Sequence, residues 1–251
     1  MARDRPFPAE AAGLSLVIPC YNEEELLEHT VHQLLDAFQH GGRPVQLILV
    51  DNGSTDGTDG VIRQLAADLP SIAHVRVLRN VGYGHGILEG LKGCRSEWVG
   101  WIPADGQVDA ADVVKLYEML LGVRGLCLGK VRRRFRMDGP VRKTVSVCYN
   151  LFARMLWPRL NSIDINGTPK ILPRRVLEQM QLSSTGWLLD VEAMIKAHYM
   201  GVRILEMNVF GRMRSGGASH VSVRAVWDFV VCLLAFRFSG TLASWKARRP
   251  S

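Results

Sequence analysis

The chain has 251 residues, enough for one α/β domain with a C-terminal addition. Its composition is 47% hydrophobic and 22% charged without a low-complexity tract, which excludes a disordered or fibrous protein. The net charge is +7, and residues 130–143 hold seven basic residues against one acid. Such a block fits a nucleic acid, an anionic membrane surface or a phosphorylated substrate. Since no nucleic-acid-binding motif accompanies it, we expect no nucleic-acid partner.

The cysteines and the N-terminus bear on the compartment. The five cysteines are scattered, odd in number and without metal-type spacing, so we expect reduced thiols. Residues 1–12 lack the apolar core of a signal peptide. Both observations favour a cytoplasmic location.

Two apolar runs near the start of the chain each end abruptly in a polar, acid-bearing turn. Residues 14–18 run into the first turn at 19–23, and residues 45–50 run into the second at 51–56. Runs of this length and composition predict buried strands. Residues 24–38 between them have helical apolar spacing, so we predict strand, helix, strand. In open α/β sheets a ligand binds outside the carboxyl ends of the strands, so both turns should face one ligand.

These turns resemble the start of a family 2 glycosyltransferase with the GT-A fold. The resemblance is carried by Val17-Ile18-Pro19-Cys20-Tyr21-Asn22-Glu23 and by Val50-Asp51-Asn52-Gly53-Ser54-Thr55-Asp56-Gly57-Thr58. It implies that the base and ribose of a UDP- or GDP-sugar are bound by Pro19, Tyr21, Glu23 and Asp51. A carboxylate can accept a ring N–H of uracil or guanine, and an aromatic ring can stack on the base. Ordinary turn chemistry at a sheet edge is the alternative.

A glycine-rich segment follows the next predicted helix (59–69) and strand (73–78). Its spacing, Gly82-x-Gly84-x-Gly86, permits close backbone approach to a diphosphate or to the following helix. The segment resembles the Asn-x-Gly-x-Gly loop of the same family. That likeness implies that Gly82 and Gly84 bind the donor.

The predicted strand 98–102 ends in Pro103-Ala104-Asp105-Gly106-Gln107. GT-A enzymes carry an Asp-x-Asp motif here, which ligates a divalent cation that bridges the donor diphosphate. Pro103 replaces the first acid, while Asp105 matches the second. Gln107 matches a residue that approaches the metal in the polyprenyl-phosphate branch. The resemblance implies Mg²⁺ or Mn²⁺ at Asp105 and Gln107, with Asp105 also catalytic; a surface turn is the alternative.

The basic block follows a predicted helix (109–122) and strand (126–129). Arg134, Arg142, Ser146 and Asn150 resemble the acceptor-phosphate residues of dolichyl- and polyprenyl-phosphate sugar synthases, which lie on a loop and the next helix. On a helix, the last three fall at i, i+4 and i+8 and share one face. The planar arginine fork suits phosphate oxygens. A solvated basic face is the alternative.

Two later segments complete the resemblance. Asp190 and Glu192, at the start of a predicted helix, match an acid pair near the reacting centre and are catalytic candidates. They are two residues apart, so only one should point into the site; acids that stabilise a helix start are the alternative. Arg214 and Ser219 fit a loop that closes over the diphosphate. His220 stands where the family often has lysine.

The C-terminal piece, 221–238, is apolar, but its longest uninterrupted run is too short to span a membrane. With the basic tail that follows, it suits a helix lying in a membrane interface or a core helix. We predict a glycosyltransferase domain at 1–220 followed by an apolar helix and basic tail at 221–251. Within the domain, residues 14–107 bind the nucleotide-sugar and 108–220 form the acceptor side.

The predicted fold class is α/β, a GT-A (Rossmann-like) mixed, mainly parallel sheet flanked by helices with a C-terminal apolar or amphipathic helix. The implied reaction is inverting, metal-assisted transfer of a sugar from an NDP-sugar (NDP, nucleoside diphosphate) to polyprenyl phosphate. The protein is then expected to lie peripherally at the inner face of the membrane. An anionic acceptor needs no strong base. One alternative is a hydroxyl acceptor, with Asp190 or Glu192 as base. The other is a catalytically silent nucleotide-sugar-binding module.

Overall fold

The computed structural model describes residues 12–136, 149–158, 160, 162, 164–211, 223–238 and 240–248, with only the backbone at 133–136, 211 and 223–229. The chain divides into two compact units. The first consists of Met1–Met137 and Asn161–Gly217, and the second of Asp138–Leu160 and Ala218–Ser251. The predicted domain boundary between residues 220 and 221 lies outside the described residues and stays a prediction.

The first unit is built on a seven-stranded sheet in the order β3-β2-β1-β4-β6-β5-β7. The strands are β1 (Leu14–Cys20), β2 (Val45–Asn52), β3 (Ile72–Val77), β4 (Trp98–Trp101), β5 (Cys127–Arg136), β6 (Lys170–Pro173) and β7 (Arg203–Gly211). Strands β1 to β4 are parallel, β6 is antiparallel to both β4 and β5, and β5 is parallel to β7. The predicted mixed, mainly parallel sheet is confirmed.

Helices flank this sheet. Those of the first unit are α1 (Leu27–His40), α2 (Thr58–Asp68), α3 (Tyr83–Leu91), α4 (Ala110–Leu121), α6 (Arg174–Met180) and α7 (Leu188–Tyr199). Helix α1 contacts α2 and α4, whereas α7 contacts α3 and α6. The alternation of strand side chains separates the two groups: Leu16 packs in the core with α1 and α4, while the next residue, Val17, lies against Gly90 of α3.

Two strands differ from the sequence prediction. Strand β6 was not predicted, and β5 was predicted only over 126–129 but continues to Arg136. Arg134 therefore lies in a strand rather than in a loop. Lys130, at the start of the basic block, is fully buried in β5. The unpredicted parts, residues 130–136 and β6, are specified by their neighbours in the sheet, since neither has the longer apolar run or alternation that marks a strand in sequence.

The second unit contains helical residues 149–156 (α5), α8 (Val223–Phe238) and α9 (Gly240–Ala247). Trp157 packs on Phe236 of α8 with ring centroids 6.4 Å apart. Among the described residues, no helix is both long enough and apolar enough to cross a membrane. The predicted interfacial role of this region stays a prediction.

Candidate active site

The turns after β1 and β2 lie against each other, and the ligand that both should face stays a prediction. The Asn22 side-chain oxygen accepts a hydrogen bond from Thr55 N at 2.9 Å, and Glu23 N donates to Thr58 Oγ1 at 2.9 Å. Glu24 Oε2 accepts from Gly57 N at 2.6 Å. These cross-links join the two turns into one polar surface at the carboxyl ends of β1 and β2.

Asp51 is a buried carboxylate at that surface. Its side chain is fixed by Ser54 N, which donates to Oδ1 at 2.9 Å. Arg76, directly opposite on β3, has Nε 3.8 Å from the other oxygen, Oδ2. Tyr21 nearby in the chain is 46% exposed, and Pro19 is half-buried. A fixed acid and an exposed aromatic ring suit a nucleobase, and the donor-binding roles of Pro19, Tyr21, Glu23 and Asp51 stay predictions.

The glycine-rich segment packs on a loop of the chain itself. A Cβ on Gly82 would meet Thr185 O at 2.6 Å, and one on Gly84 would meet Ser184 O at 2.4 Å. His85 N donates to Thr185 O at 2.8 Å, and Asn52 Nδ2 donates to Gly82 O at 3.0 Å. The glycines therefore let the start of α3 approach residues 183–186 closely; contact of Gly82 and Gly84 with a diphosphate stays a prediction.

Glu192 holds that loop from inside the protein. Its Oε2 accepts from Ser183 N at 3.1 Å and from Ser184 N at 2.8 Å, while Oε1 pairs with Lys196 Nζ at 2.5 Å. Lys196 Nζ also donates to Gln181 O at 2.9 Å. Both charged side chains are buried. Glu192 is thus built into the support of the loop, and its predicted catalytic role has not been tested.

Asp190, two residues earlier on α7, points toward the end of β4. Its Oδ1 accepts from Trp101 Nε1 at 3.0 Å and pairs with Lys170 Nζ at 2.7 Å. Lys170 lies opposite Trp101 on β6 and also donates to Gly167 O at 3.1 Å. Burial lowers the pKa of Lys170 to about 8, with Asp190 acting in the opposite direction. Asp190 is therefore fixed beside the strand that leads to the predicted metal turn.

The predicted metal ligands line an open pocket after β4. Asp105 and Gln107 share its wall with Pro103, Thr30 and Thr168. Asp105 Oδ1 accepts from Gln107 N at 3.2 Å. In the part of the chain that the structure describes, no three His, Cys, Asp or Glu side chains cluster as metal ligands. One carboxylate and one amide fit Mg²⁺ or Mn²⁺ only if substrate phosphates complete the shell, which is common for Mg²⁺.

Most of the predicted acceptor and closing-loop residues lie outside the described residues: Arg142, Ser146, Arg214 and Ser219. The structure describes Arg134 by its backbone alone, in β5 of the first unit. Asn150 lies in α5 of the second unit. The acceptor-phosphate roles of all four acceptor residues stay predictions.

Sequence reasoning missed the buried lysines that support the site. The pairing of Lys196 with Glu192 had a visible signal, since the two residues are four apart on one helix. Lys130 and Lys170 lie opposite each other on β5 and β6. No local pattern shows that pairing, because it depends on which strands become neighbours.

The family model described as "Glycosyl transferase family 2" matches residues 15–180, about two thirds of the chain. The chain belongs to glycosyl transferase family 2. Solved structures confirm the GT-A fold: glucosyl-3-phosphoglycerate synthase of Mycobacterium tuberculosis, in complex with Mn²⁺, UDP and glucosyl-3-phosphoglycerate, superposes with a TM-score of 0.70. It is 23% identical, over 90% of this chain and 80% of that one.

Curated relatives of this glycosyltransferase include lipid-phosphate enzymes. The dodecaprenyl-phosphate galacturonate synthase of Rhizobium johnstonii is 29% identical over 92% of this chain and 68% of its own length. The undecaprenyl-phosphate 4-deoxy-4-formamido-L-arabinose transferase of Pectobacterium carotovorum is 32% identical over 57% of this chain, which spans only 43% of that enzyme. An uncharacterized glycosyltransferase of Mycobacterium bovis is 30% identical over 86% of this chain and 96% of its own.

The close packing of α3 predicts that Gly84→Ala destabilises the protein. The new methyl group would meet Ser184 O at 2.4 Å and Gly186 O at 2.6 Å, and backbone oxygens of a supported loop cannot rotate away. Overpacking of this kind costs about 1–3 kcal/mol of unfolding free energy. Gly60→Ala in α2, where a Cβ meets nothing within 4 Å, is the matched control and should be neutral or stabilising. Thermal unfolding of both variants tests this; equal midpoints would contradict it.

The buried Glu192–Lys196 pair predicts a large cost for Glu192→Gln. The change leaves the Lys196 ammonium buried without its carboxylate, which costs about 3–5 kcal/mol. The control is Glu178→Gln, which removes an acid paired with Arg174 at the surface of α6 and should change stability by less than about 0.5 kcal/mol. Urea unfolding measures both; a cost below about 1 kcal/mol for Glu192→Gln would show that the pair does not hold the loop.

Proposed function

We propose that this family 2 glycosyltransferase moves a sugar from an NDP-sugar, with UDP or GDP as the nucleotide, to a polyprenyl phosphate. The names of two relatives support this acceptor: the galacturonate synthase acts on dodecaprenyl phosphate and the arabinose transferase on undecaprenyl phosphate. A third, of Pyrococcus furiosus, is named dolichol-phosphate mannosyltransferase and is 24% identical over 86% of this chain.

The structural observation that carries the proposal is the pairing of both candidate bases with buried lysines. A hydroxyl acceptor needs a carboxylate to take its proton. Glu192 has both oxygens in hydrogen bonds with Lys196 and the 183–184 backbone, and Asp190 accepts two hydrogen bonds on Oδ1. A phosphate acceptor is already anionic and requires no such base. Glu192 therefore has no oxygen left for a hydroxyl acceptor, which favours an acceptor that needs no base.

The proposed step is a single displacement at the anomeric carbon. An oxygen of the lipid phosphate forms the new bond to this carbon, the bond to the donor diphosphate breaks, and NDP leaves with the electron pair. Asp51 and Tyr21 hold the base, and Asp105 and Gln107 would hold Mg²⁺ or Mn²⁺. When bound, the cation neutralises charge on the leaving diphosphate. The fold neighbour, crystallised with Mn²⁺ or Mg²⁺ and UDP, supports this assignment.

A lipid acceptor places the reaction at a membrane, and we propose peripheral attachment at the inner face through the C-terminal region. In α8, Val231, Leu234 and Phe238 are exposed and share one helix face. Arg237, Lys246 and Arg248 are exposed in the same unit. Exposed apolar side chains beside basic ones suit an anionic lipid interface.

The reaction predicts NDP release that depends on the lipid phosphate. UDP-glucose, UDP-galacturonic acid and GDP-mannose are each incubated with the protein, Mg²⁺ or Mn²⁺, and a short polyprenyl phosphate present or absent. Release only with the lipid supports the proposal and identifies the donor. Release with a saccharide acceptor alone would favour the hydroxyl reaction. Donor binding without release under any condition would favour a silent binding module, which Pro103 in the metal turn makes a specific alternative.

The metal assignment predicts that Asp105→Ala abolishes turnover and leaves the fold intact. Asp105 is the one carboxylate among the residues that line the pocket after β4, so its loss leaves Gln107 alone to hold a cation. Asp36→Ala, which removes an exposed acid of α1 outside that pocket, is the control. Initial rates across a Mn²⁺ series and circular dichroism test this. A fully active Asp105→Ala protein would refute the assignment.

A further inference from the structure

A row of polar side chains crosses the sheet next to the candidate active site. Trp101 of β4 lies opposite Lys170 of β6, Lys170 lies opposite Lys130 of β5, and Lys130 lies opposite Glu206 of β7. Side chains at directly opposite positions point to the same face of a sheet. Trp101 and both lysines are fully buried. We call these four residues the cross-sheet row.

Each lysine of the row has its own carboxylate. Lys130 Nζ pairs with Glu206 at 2.9 Å, and Ser162 Oγ donates to the same Glu206 oxygen at 2.5 Å. Lys170 Nζ pairs with Asp190 at 2.7 Å. Of the described carboxylates, Asp190 alone lies within ion-pair distance of Lys170. Among the described residues, Lys170 therefore forms an ion pair with one carboxylate, and that carboxylate belongs to the candidate active site.

Stability does not explain this pair. Taking two ions out of water costs several kcal/mol each, and an apolar pair of similar volume is often at least as stable. Unlike an apolar residue, Lys170 can orient the Asp190 carboxylate. With Trp101 Nε1 it fixes Asp190 from two directions through a single oxygen, Oδ1. Within the described residues, Oδ2 is then the oxygen left to accept a hydrogen bond from a ligand.

We propose that Lys170 is a positioning residue that aims Asp190 Oδ2 at a hydroxyl of the donor's sugar. The inference rests on the proposed function, in which the phosphate acceptor leaves Asp190 no proton to remove. A carboxylate held rigidly beside the strand that leads to the metal turn can instead accept a hydrogen bond from a sugar hydroxyl and so select among donor sugars. Such a hydrogen bond to a charged group is worth about 1.5–3 kcal/mol, enough to discriminate among sugars.

The charge state of Lys170 makes this arrangement depend on pH. The groups that face it are Asp190 from α7, Lys130 from β5, Asp164 and the Gly167 carbonyl from the loop before β6. Burial lowers the pKa of Lys170 to about 8, and Lys130 acts in the same direction while the two acids oppose it. Below this pH the ammonium holds Asp190. Above it the charge is lost, the neutral amine donates only a weaker hydrogen bond to Oδ1, and sugar recognition should weaken.

The test compares two dissociation constants, that of the NDP-sugar and that of the free NDP, and uses the ratio of the first to the second. Both constants are measured by calorimetry at about pH 7 and about pH 9, on either side of the Lys170 pKa. The probes are UDP with UDP-glucose or UDP-galacturonic acid, and GDP with GDP-mannose. For Lys170→Met and for the double variant Lys170→Met/Asp190→Asn, the ratio should rise about tenfold, because a charged hydrogen bond is lost. The free NDP should bind within about twofold of its original affinity. The double variant leaves no unpaired buried charge, so it keeps the test valid if the single variant unfolds.

The wild-type protein should show the same rise in the ratio between about pH 7 and about pH 9, and the double variant should show none. Lys92→Met/Glu89→Gln removes a lysine–carboxylate pair at the C-terminal end of α3, with Lys92 exposed and Glu89 partly buried, and should leave the ratio unchanged. Equal shifts of both dissociation constants in the Lys170 variants would overturn the role of Lys170 while leaving the proposed function intact. Failure of every NDP and NDP-sugar to bind would overturn the proposed function, and this inference with it.

Discussion

The pairing of buried ammonium groups is the constraint on which the site depends. Of the described lysines, Lys130, Lys170 and Lys196 are buried, and a buried charge is tolerated only with a partner and full hydrogen bonding. Their partners come from different elements, Glu206 from β7 and Asp190 and Glu192 from α7. Two of the pairs join elements distant in sequence, β5 with β7 and β6 with α7, while the Glu192–Lys196 pair lies within α7 and fixes the carboxylate that holds the 183–184 backbone.

The consequences extend from α7 to the carboxyl end of β2. Glu192 holds the 183–186 backbone, that backbone accepts from α3 through His85 N, and Asn52 at the end of β2 donates to Gly82 at the start of α3. The chain of contacts ends one residue from Asp51, the candidate base-binding acid. Hydrogen bonds thus connect the Glu192–Lys196 pair to the carboxyl end of β2.

The fold of residues 14–107 was predictable because its signals are local. Strands β1 and β2 are apolar runs closed by polar turns, and the order strand, helix, strand with parallel pairing leaves those turns side by side. The strands of the described part of residues 108–220 were predictable only in part. Strand β6 has four residues and carries Lys170, and a lysine in sequence is expected at the surface. Its burial follows from pairing with β4 and β5, and from the carboxylate that α7 brings to it.

If the proposed function holds, two features of the site have a common chemical explanation. One is Pro103, which replaces the first acid of the metal motif, and the other is the pairing of the α7 acids with lysines. With a single carboxylate, Asp105, the metal turn holds a cation weakly by itself, so the diphosphate oxygens of the donor must complete the shell. Metal and donor should then bind as a unit. The acids of α7 already carry lysine partners, so they add little net negative charge beside an incoming phosphate. A site that must admit two anionic substrates is served by carboxylates neutralised in this way.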